Sequence, residues 1–240
     1  MVESADFDGL NDYMARGAAL TGAANSKSGI ASTWIRIDGT DNAVQYSIVE
    51  STHFILCRVI SNGLPGSNAF LIQGTNLGSS VILNISTATA YTQSATWLHV
   101  LASWDIASAA THLYVNDADD KDPTVVATND TIVYTDTNFQ VGAGGGSLNK
   151  VDGCLAEVYF APGRYLDFSV TNNRRKFITS SGKPVYLGAN GAGPTGTAPL
   201  VYFHLDPSET VADFATNRGT GGDFTITGAL AAGSTSPSDF

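Results

Sequence analysis

Charge is scarce in this sequence. Only 14% of the 240 residues are Asp, Glu, Lys or Arg, against roughly 25% in an average globular protein. Cations are the rarer sign, 12 Lys and Arg facing 22 Asp and Glu. A formal charge of −10 argues against nucleic acid as a partner, because Lys and Arg drive phosphate binding by releasing counterions. No apolar run approaches the roughly 20 residues that cross a bilayer as a helix. The segment Met1 to Leu10 has neither the basic n-region nor the apolar h-region of a signal peptide. The expectation is a soluble chain without a secretion signal that binds neither nucleic acid nor membrane. Cysteine is limited to Cys57 and Cys154, too far apart for a CxxC-type metal pair. Both lie in strand-like apolar runs and read as buried thiols, with a single disulfide between them as the alternative.

Hydroxyl and amide side chains are abundant instead: Ser, Thr and Asn make up 62 residues. β-Branched and aromatic residues fill short alternating runs between Gly, Asn, Asp and Ser, the pattern of strands and turns. Strands are predicted at 30–38, 44–50, 54–60, 69–73, 81–86, 97–104, 111–116, 124–127, 138–142, 153–160, 184–187, 200–205 and 223–227. Many short strands without intervening helical patterns imply an all-β fold of antiparallel pairs, a sandwich or barrel, and disfavour a parallel βαβ sheet. The length suits one large domain or two small ones. A single domain over 1–240 is expected, because the forty residues after Leu200 are too few to build a core of their own and should return to complete the sheets.

One short helix is predicted near 169–180. Ser169 reads as its cap, Val170, Phe177 and Ile178 as a narrow apolar stripe, and Gly182 and Pro184 as its stop. Arg174, Arg175 and Lys176 then form a solvated basic end that complements the helix dipole. Ala143 to Lys150, with Gly144-Gly145-Gly146, and Gly188 to Pro199 read as long loops.

Within the strand 97–104, Leu98, Val100, Ala102 and Trp104 share one face, which fits the interior between two sheets. Asp105 begins a turn, and 111–116 pairs back as a hairpin. The stretch Trp97-Leu98-His99-Val100-Leu101-Ala102-Ser103-Trp104-Asp105, followed by Leu113-Tyr114-Val115-Asn116-Asp117, resembles the signature of concanavalin A-like, laminin-G-type jelly rolls. Phe7 to Tyr13, Ile30 to Asp38 and Gly153 to Phe160 are similar to that family's first, second and late strands, in the family's order, across 7–166. The resemblance implies an antiparallel two-sheet jelly-roll sandwich. Residues 167–240, including Asn217 to Gly228, resemble the C-terminal part of laminin-G-like proteins of tailed bacteriophages, which implies a virion component.

Glycoside hydrolysis needs two carboxyls flanking the bond, and Glu3, Glu50, Glu157 and Glu209 form none of the E-x-D-x-(x-)E patterns of related glucanases. Glu157 is the one tempting acid, yet alternation puts Leu155 and Tyr159 beside it on its face, so a strand-end or turn-anchoring role is expected. His53, His99, His112 and His204 meet no G-x-S-x-G elbow. His99 and His204 read as structural. Calcium would need clustered oxygen ligands. Counted from Asp117, the run Asn116 to Asp122 lacks the Gly at the sixth position of a calcium loop and the Glu at the twelfth, where Thr128 stands, and reads as a solvated hairpin loop. Asp6, Asp8 and Asp12 form a second cluster where the resemblance allows a structural calcium, although Ala156 replaces an acid that the family often carries. Tyr13, Tyr46, Tyr91, Tyr134 and Tyr165 are candidate sugar-stacking rings. No catalytic residue, metal ligand or cofactor is assigned. The expected function is a non-enzymatic virion structural protein, on head or tail, partnered by other virion proteins and by host-surface glycans. It is expected to act as a homo-oligomer, with a trimer as the anticipated form. A free carbohydrate-binding lectin is the alternative and a glycoside hydrolase the remaining one.

Overall fold

The computed structural model describes residues 3–41, 46–59 and 68–239. Val44 and Ile60, at the ends of two predicted strands, lie outside these residues. The first strands in chain order are β1 (Ala5–Asp8), β2 (Tyr13–Ala15), β3 (Ser28–Ile37), β4 (Tyr46–Glu50), β5 (Phe54–Arg58) and β6 (Phe70–Thr75). There follow β7 (Val81–Ser86), β8 (Ser94–Asp105), β9 (Ala110–Val115), β10 (Ala118–Asp119), β11 (Val126–Ala127) and β12 (Gln140–Val141). The last are β13 (Asp152–Pro162), β14 (Val201–Phe203), β15 (Thr225–Thr227) and β16 (Ala231–Ala232). All pairings are antiparallel. The first sheet runs β10-β9-β8-β3-β13-β1-β16, with β14 also on β13; the second runs β11-β7-β6-β5-β4-β12-β2-β15. The two face each other as the sandwich that alternation predicted.

Their inner faces meet over an aromatic centre. Trp104 of β8 stacks on Phe54 of β5 at 5.6 Å, and Phe54 stacks on Phe160 of β13 at 4.6 Å. The Trp104 indole N–H donates to the Tyr134 hydroxyl at 3.0 Å, which satisfies the polar edge of a fully buried ring. Trp104 lies flat over Gly29, its partner in β3, where a Cβ would stand 2.2 Å from the ring. Only glycine leaves room.

The other face of β8 is buried as well. Leu101, with Ile30, Tyr114 and Tyr159 from neighbouring strands, packs under Phe168, Phe177, Leu187 and Tyr202. Trp34, Trp97, Cys154 and Ala156 pack with Ile178. Residues 166–187 therefore form a cover over the outer face of the first sheet, fastened by the Ser103 hydroxyl to the Leu166 carbonyl at 2.6 Å.

This cover explains why the predicted helix is short. α1 is the single turn Thr171–Arg174 with Val170, not Ser169, at its N-cap. The Ser169 hydroxyl donates to Asp167 at 2.6 Å instead of capping. Burial of Phe177 and Ile178 against the sheet then pulls the chain off the helical path. Nor are Arg174 and Arg175 a solvated basic end. Both bind Asp117 in the β9–β10 turn, at 2.6 and 2.5 Å, and Arg174 also lies over the Tyr114 ring at 4.5 Å. Residues 184–187 make only an isolated bridge between Pro184 and Ile178, because they belong to the cover and join neither sheet.

The segment after Leu200 pairs back at three places: β14 with β13, β15 with β2 and β16 with β1. Buried Asn217 ties its turn together, accepting from the N–H of Tyr202 and Gly219 and donating to the carbonyls of Leu200 and Gly222. Cys57 and Cys154 are free, buried thiols in different sheets, so the disulfide alternative is set aside. No described helix is long and apolar enough to cross a membrane.

Gly29→Ala is expected to destabilise the fold by about 1–3 kcal/mol, the usual cost of overpacking a filled interior. An unchanged urea midpoint would contradict the close packing of Trp104 on β3.

Candidate functional site

Glu157 sits where β13 changes partners. Residues 152–155 pair with β1 and 158–160 with β14, and the register against β3 shifts between Ala156 and Tyr159. Glu157 is the extra residue of this bulge and adopts φ +51°, the left-handed conformation that such positions demand. Leu155 and Val158 thus both face the main core while Tyr159 faces the cover, so the shared face that alternation assigned to Leu155, Glu157 and Tyr159 does not exist. The bulge turns the carboxylate toward β14. It accepts from the Tyr202 hydroxyl at 2.9 Å and pairs with His204 Nδ1, while His204 Nε2 meets Asp206 at 3.1 Å. Burial opposes charge on His204, but the bonds to Glu157 and Asp206 outweigh it and raise its pKa. Arg218 closes the network on Glu209 and Asp206. Both carboxylate oxygens of Glu157 are engaged, which suits an anchor for the returning tail.

His99 is buried with Nε2 2.9 Å from the Ser32 hydroxyl and its ring stacked 4.7 Å from Trp34. Burial pushes its pKa down to about 3. The acidic clusters dissolve into separate partnerships. Asp8 accepts the N–H groups of Leu10, Asn11 and Asp12, and Asp12 accepts that of Ala229. Within 116–122, Asp117 binds the two arginines, Asp120 accepts from Thr89 and Tyr91, and Asp122 accepts the Thr124 N–H. The expected solvated loop is in fact bonded to its surroundings. Asp6 faces Asp38 and Cys154, their donor atoms within 4.8 Å of one another. This trio does not fit calcium, which takes six to eight oxygens. The Arg36 guanidinium already grips Asp38 at 2.6 and 2.8 Å, and burial beside Asp6 pushes the Cys154 thiol up to about 12.

Nor do the predicted tyrosines form a platform. Tyr46 and Tyr134 are core, Tyr91 is bonded to Asp120, Tyr165 to His112, and the Tyr13 hydroxyl lies by Ser147 and Thr227. The exposed ring is Tyr186, 63% accessible and 5.8 Å from His204. It stood in a segment read as a strand, where nothing marked it.

A polar concavity lies elsewhere, on the outer face of the second sheet. It is a groove of about 480 Å³. Register builds its floor: Glu50 of β4 stands opposite Ile55 of β5, Ile55 opposite Gln73 of β6, and Gln73 opposite Asn84 of β7. Four strands at about 4.8 Å spacing make this row roughly 14 Å long. Beside it, Cys57 and Leu71 form an apolar strip. The side-chain amides of Gln73 and Asn84 have no hydrogen-bond partner among the described residues. His53 stands at one end, its Nδ1 2.8 Å from Asp136 Oδ1 and its backbone N–H 2.9 Å from Asp136 Oδ2. A carboxylate only accepts, so Nδ1 carries the proton and Nε2 is left for the groove. Glu50 is held by the Ser47 hydroxyl at 2.5 Å and the Gly145 N–H at 2.8 Å. The triple-glycine loop is needed for that approach, since a Cβ on Gly144 would fall 1.8 Å from Glu50. That run was the one sequence sign of a special position here; Gln73 and Asn84 looked like ordinary strand residues.

Two of the perturbed histidines, His99 and His204, act in opposite directions on stability. Below about 6.5 an unfolded His99 takes a proton that the folded one refuses down to about 3, so its contribution shrinks as pH falls. The raised His204 contributes fully below about 6.5 and loses that contribution as pH rises through its folded value. The melting temperature gap between the wild type and His204→Gln is therefore expected to be widest near pH 6 and to narrow toward pH 9. A gap independent of pH would contradict the charged bridge.

The family model described as the concanavalin A-like lectin/glucanases superfamily matches residues 8–163. Among solved structures, the chain is similar to a Bacteroides ovatus protein proposed to bind carbohydrate, with TM-score 0.67 and 16% identity over 98% of this chain and 61% of that one. It thus spans about three fifths of that protein's length. It is also similar to the heptameric SAP-like pentraxin of Limulus polyphemus, with TM-score 0.52 and 9% identity over 100% and 98% of the two chains. At such identities the likeness speaks for the fold alone. No curated protein matches. The antiparallel two-sheet sandwich and the match across 8–163 together place the chain in the concanavalin A-like lectin/glucanases superfamily, to which it belongs.

Proposed function

We propose that this chain is a non-enzymatic glycan-binding module, exposed on a bacteriophage virion and docked there to other virion proteins. The observation that carries the glycan reading is the groove row Glu50-Ile55-Gln73-Asn84 with His53 at its end. It offers amides unpartnered among the described residues, beside an apolar strip on the sheet face that the C-terminal cover does not occupy. Sugars present hydroxyls that donate and accept together with apolar C–H faces, and amides answer the first while aliphatic side chains answer the second. The fold likeness to a protein proposed to bind carbohydrate supports the same reading. Absence of catalysis is supported by the acids themselves. Glu50, Asp136 and Glu157 each have both carboxylate oxygens engaged by protein donors, which leaves none poised as the acid, base or nucleophile of a hydrolytic pair. The virion setting rests on the resemblance of 167–240 to tailed-phage proteins. A homo-oligomer such as a trimer would suit it, because linked copies of a weak site gain avidity.

Isolated protein on a glycan array is expected to bind selectively. Gln73→Ala combined with Asn84→Ala should weaken binding by about tenfold or more, two lost hydrogen bonds at about 0.5–1.5 kcal/mol each. Silence across the array, or release of reducing ends from polysaccharide, would refute this function. Mass spectrometry of purified particles tests the setting: glycan binding without the chain in particles would identify a free lectin.

A further inference from the structure

The chemistry of the groove also says which glycans it takes. Among the described residues, its lining holds Glu50, Ser51, Thr52, His53, Gln73, Thr75 and Asn84 as polar groups, and no Lys or Arg. Asp136 stands directly behind His53, so the fixed charges at this face are negative. The stretches 42–45 and 60–67, Asn-Ala-Val-Gln and Ile-Ser-Asn-Gly-Leu-Pro-Gly-Ser, contain no charged residue and bring no cation wherever they lie. Arg58 is on the neighbouring strand position but is committed to Asp41, Asn68 and the Tyr91 carbonyl. Lys150, on the loop that holds Glu50, is tied to the Ser147 carbonyl. A carboxylate or sulfate brought into the groove would give up water and meet no compensating cation, with Glu50 for a neighbour.

The same bonds bear on metal ions. A calcium-bridged sugar requires protein carboxylates with free lone pairs converging on the ion. Here Glu50 is turned to Ser47 and Gly145, and Asp136 to His53. Each of their oxygens already accepts an N–H or O–H, and among the described residues neither acid belongs to a group of three potential metal ligands.

We propose that the groove selects uncharged, hydroxyl-rich glycans over acidic ones and binds them without a metal ion, through the Gln73 and Asn84 amides and His53 Nε2. This rests on the reading of the groove as a glycan site.

The test uses the full chain and matched oligosaccharides that differ only in a glucose or a glucuronic acid unit, titrated with and without EDTA at low and high salt. The neutral member is expected to bind at least tenfold more tightly, the ratio to shrink as salt screens Glu50, and EDTA to change nothing. Gln73→Lys should move the ratio toward the acidic member. Equal or tighter binding of the acidic member overturns the selectivity, and loss of binding in EDTA overturns the metal-free mode, while both leave a glycan site standing. Binding of neither member, nor of any glycan on the array, overturns the site itself. The wild-type ratio decides the matter even if Gln73→Lys fails to fold.

Discussion

A two-sheet sandwich has two inner faces that bury each other and two outer faces that must be settled some other way. In the first sheet the outer face is too apolar to meet water: Ile30, Trp34, Trp97, Leu101 and Tyr159 all point there. Burying side chains of this size is worth about 1.5–3 kcal/mol each, so the sheet depends on its cover. Phe168, Phe177, Ile178 and Leu187 supply it, and the paired grip of Arg174 and Arg175 on Asp117 locks it to the β9–β10 turn. Asp117 responds as expected of that grip. Hydrogen bonding to Arg175 outweighs burial and, with Arg174, holds its carboxyl below the usual range. With the first outer face covered, the groove on the second stays open, its Gln73 and Asn84 amides without a partner among the described residues.

The bulge at Glu157 is the second hinge of the architecture. β13 must serve β1 along its first half and β14 along its second, and one inserted residue manages the exchange. The residue left over is an acid, aimed at Tyr202 and His204 of the incoming strand. A carboxylate that might suggest hydrolysis in isolation is here the bond that seats the tail.

The strand content was legible in the sequence because alternation and turn residues are local signals. The inward set Val100, Ala102 and Trp104 lies in the main core as the pattern implied. The same local rule failed at Glu157, since a bulge reverses every following side chain without leaving a mark in composition. It failed too at 169–187, where propensity suggested a longer helix and a strand but the apolar demand of the sheet beneath prevailed. The tyrosines proposed as sugar platforms were drawn by residue type, and all five proved to be packed in the core or hydrogen-bonded to partners far away in sequence. Acidic clusters misled for a similar reason: Asp6, Asp8 and Asp12 are close in sequence, yet Asp6 faces Asp38 and Cys154 while the other two close a turn.

What the sequence determined alone was the class of fold and the poverty of cations, because period-two burial and net charge depend on no distant contact. What only the tertiary structure decided was the site. Glu50, Ile55, Gln73 and Asn84 come from four strands and form a row through inter-strand register, which depends on how whole strands slide against one another. The freedom of the two amides to bind anything follows from that register, since partners are present or absent only once the neighbouring strands are in place.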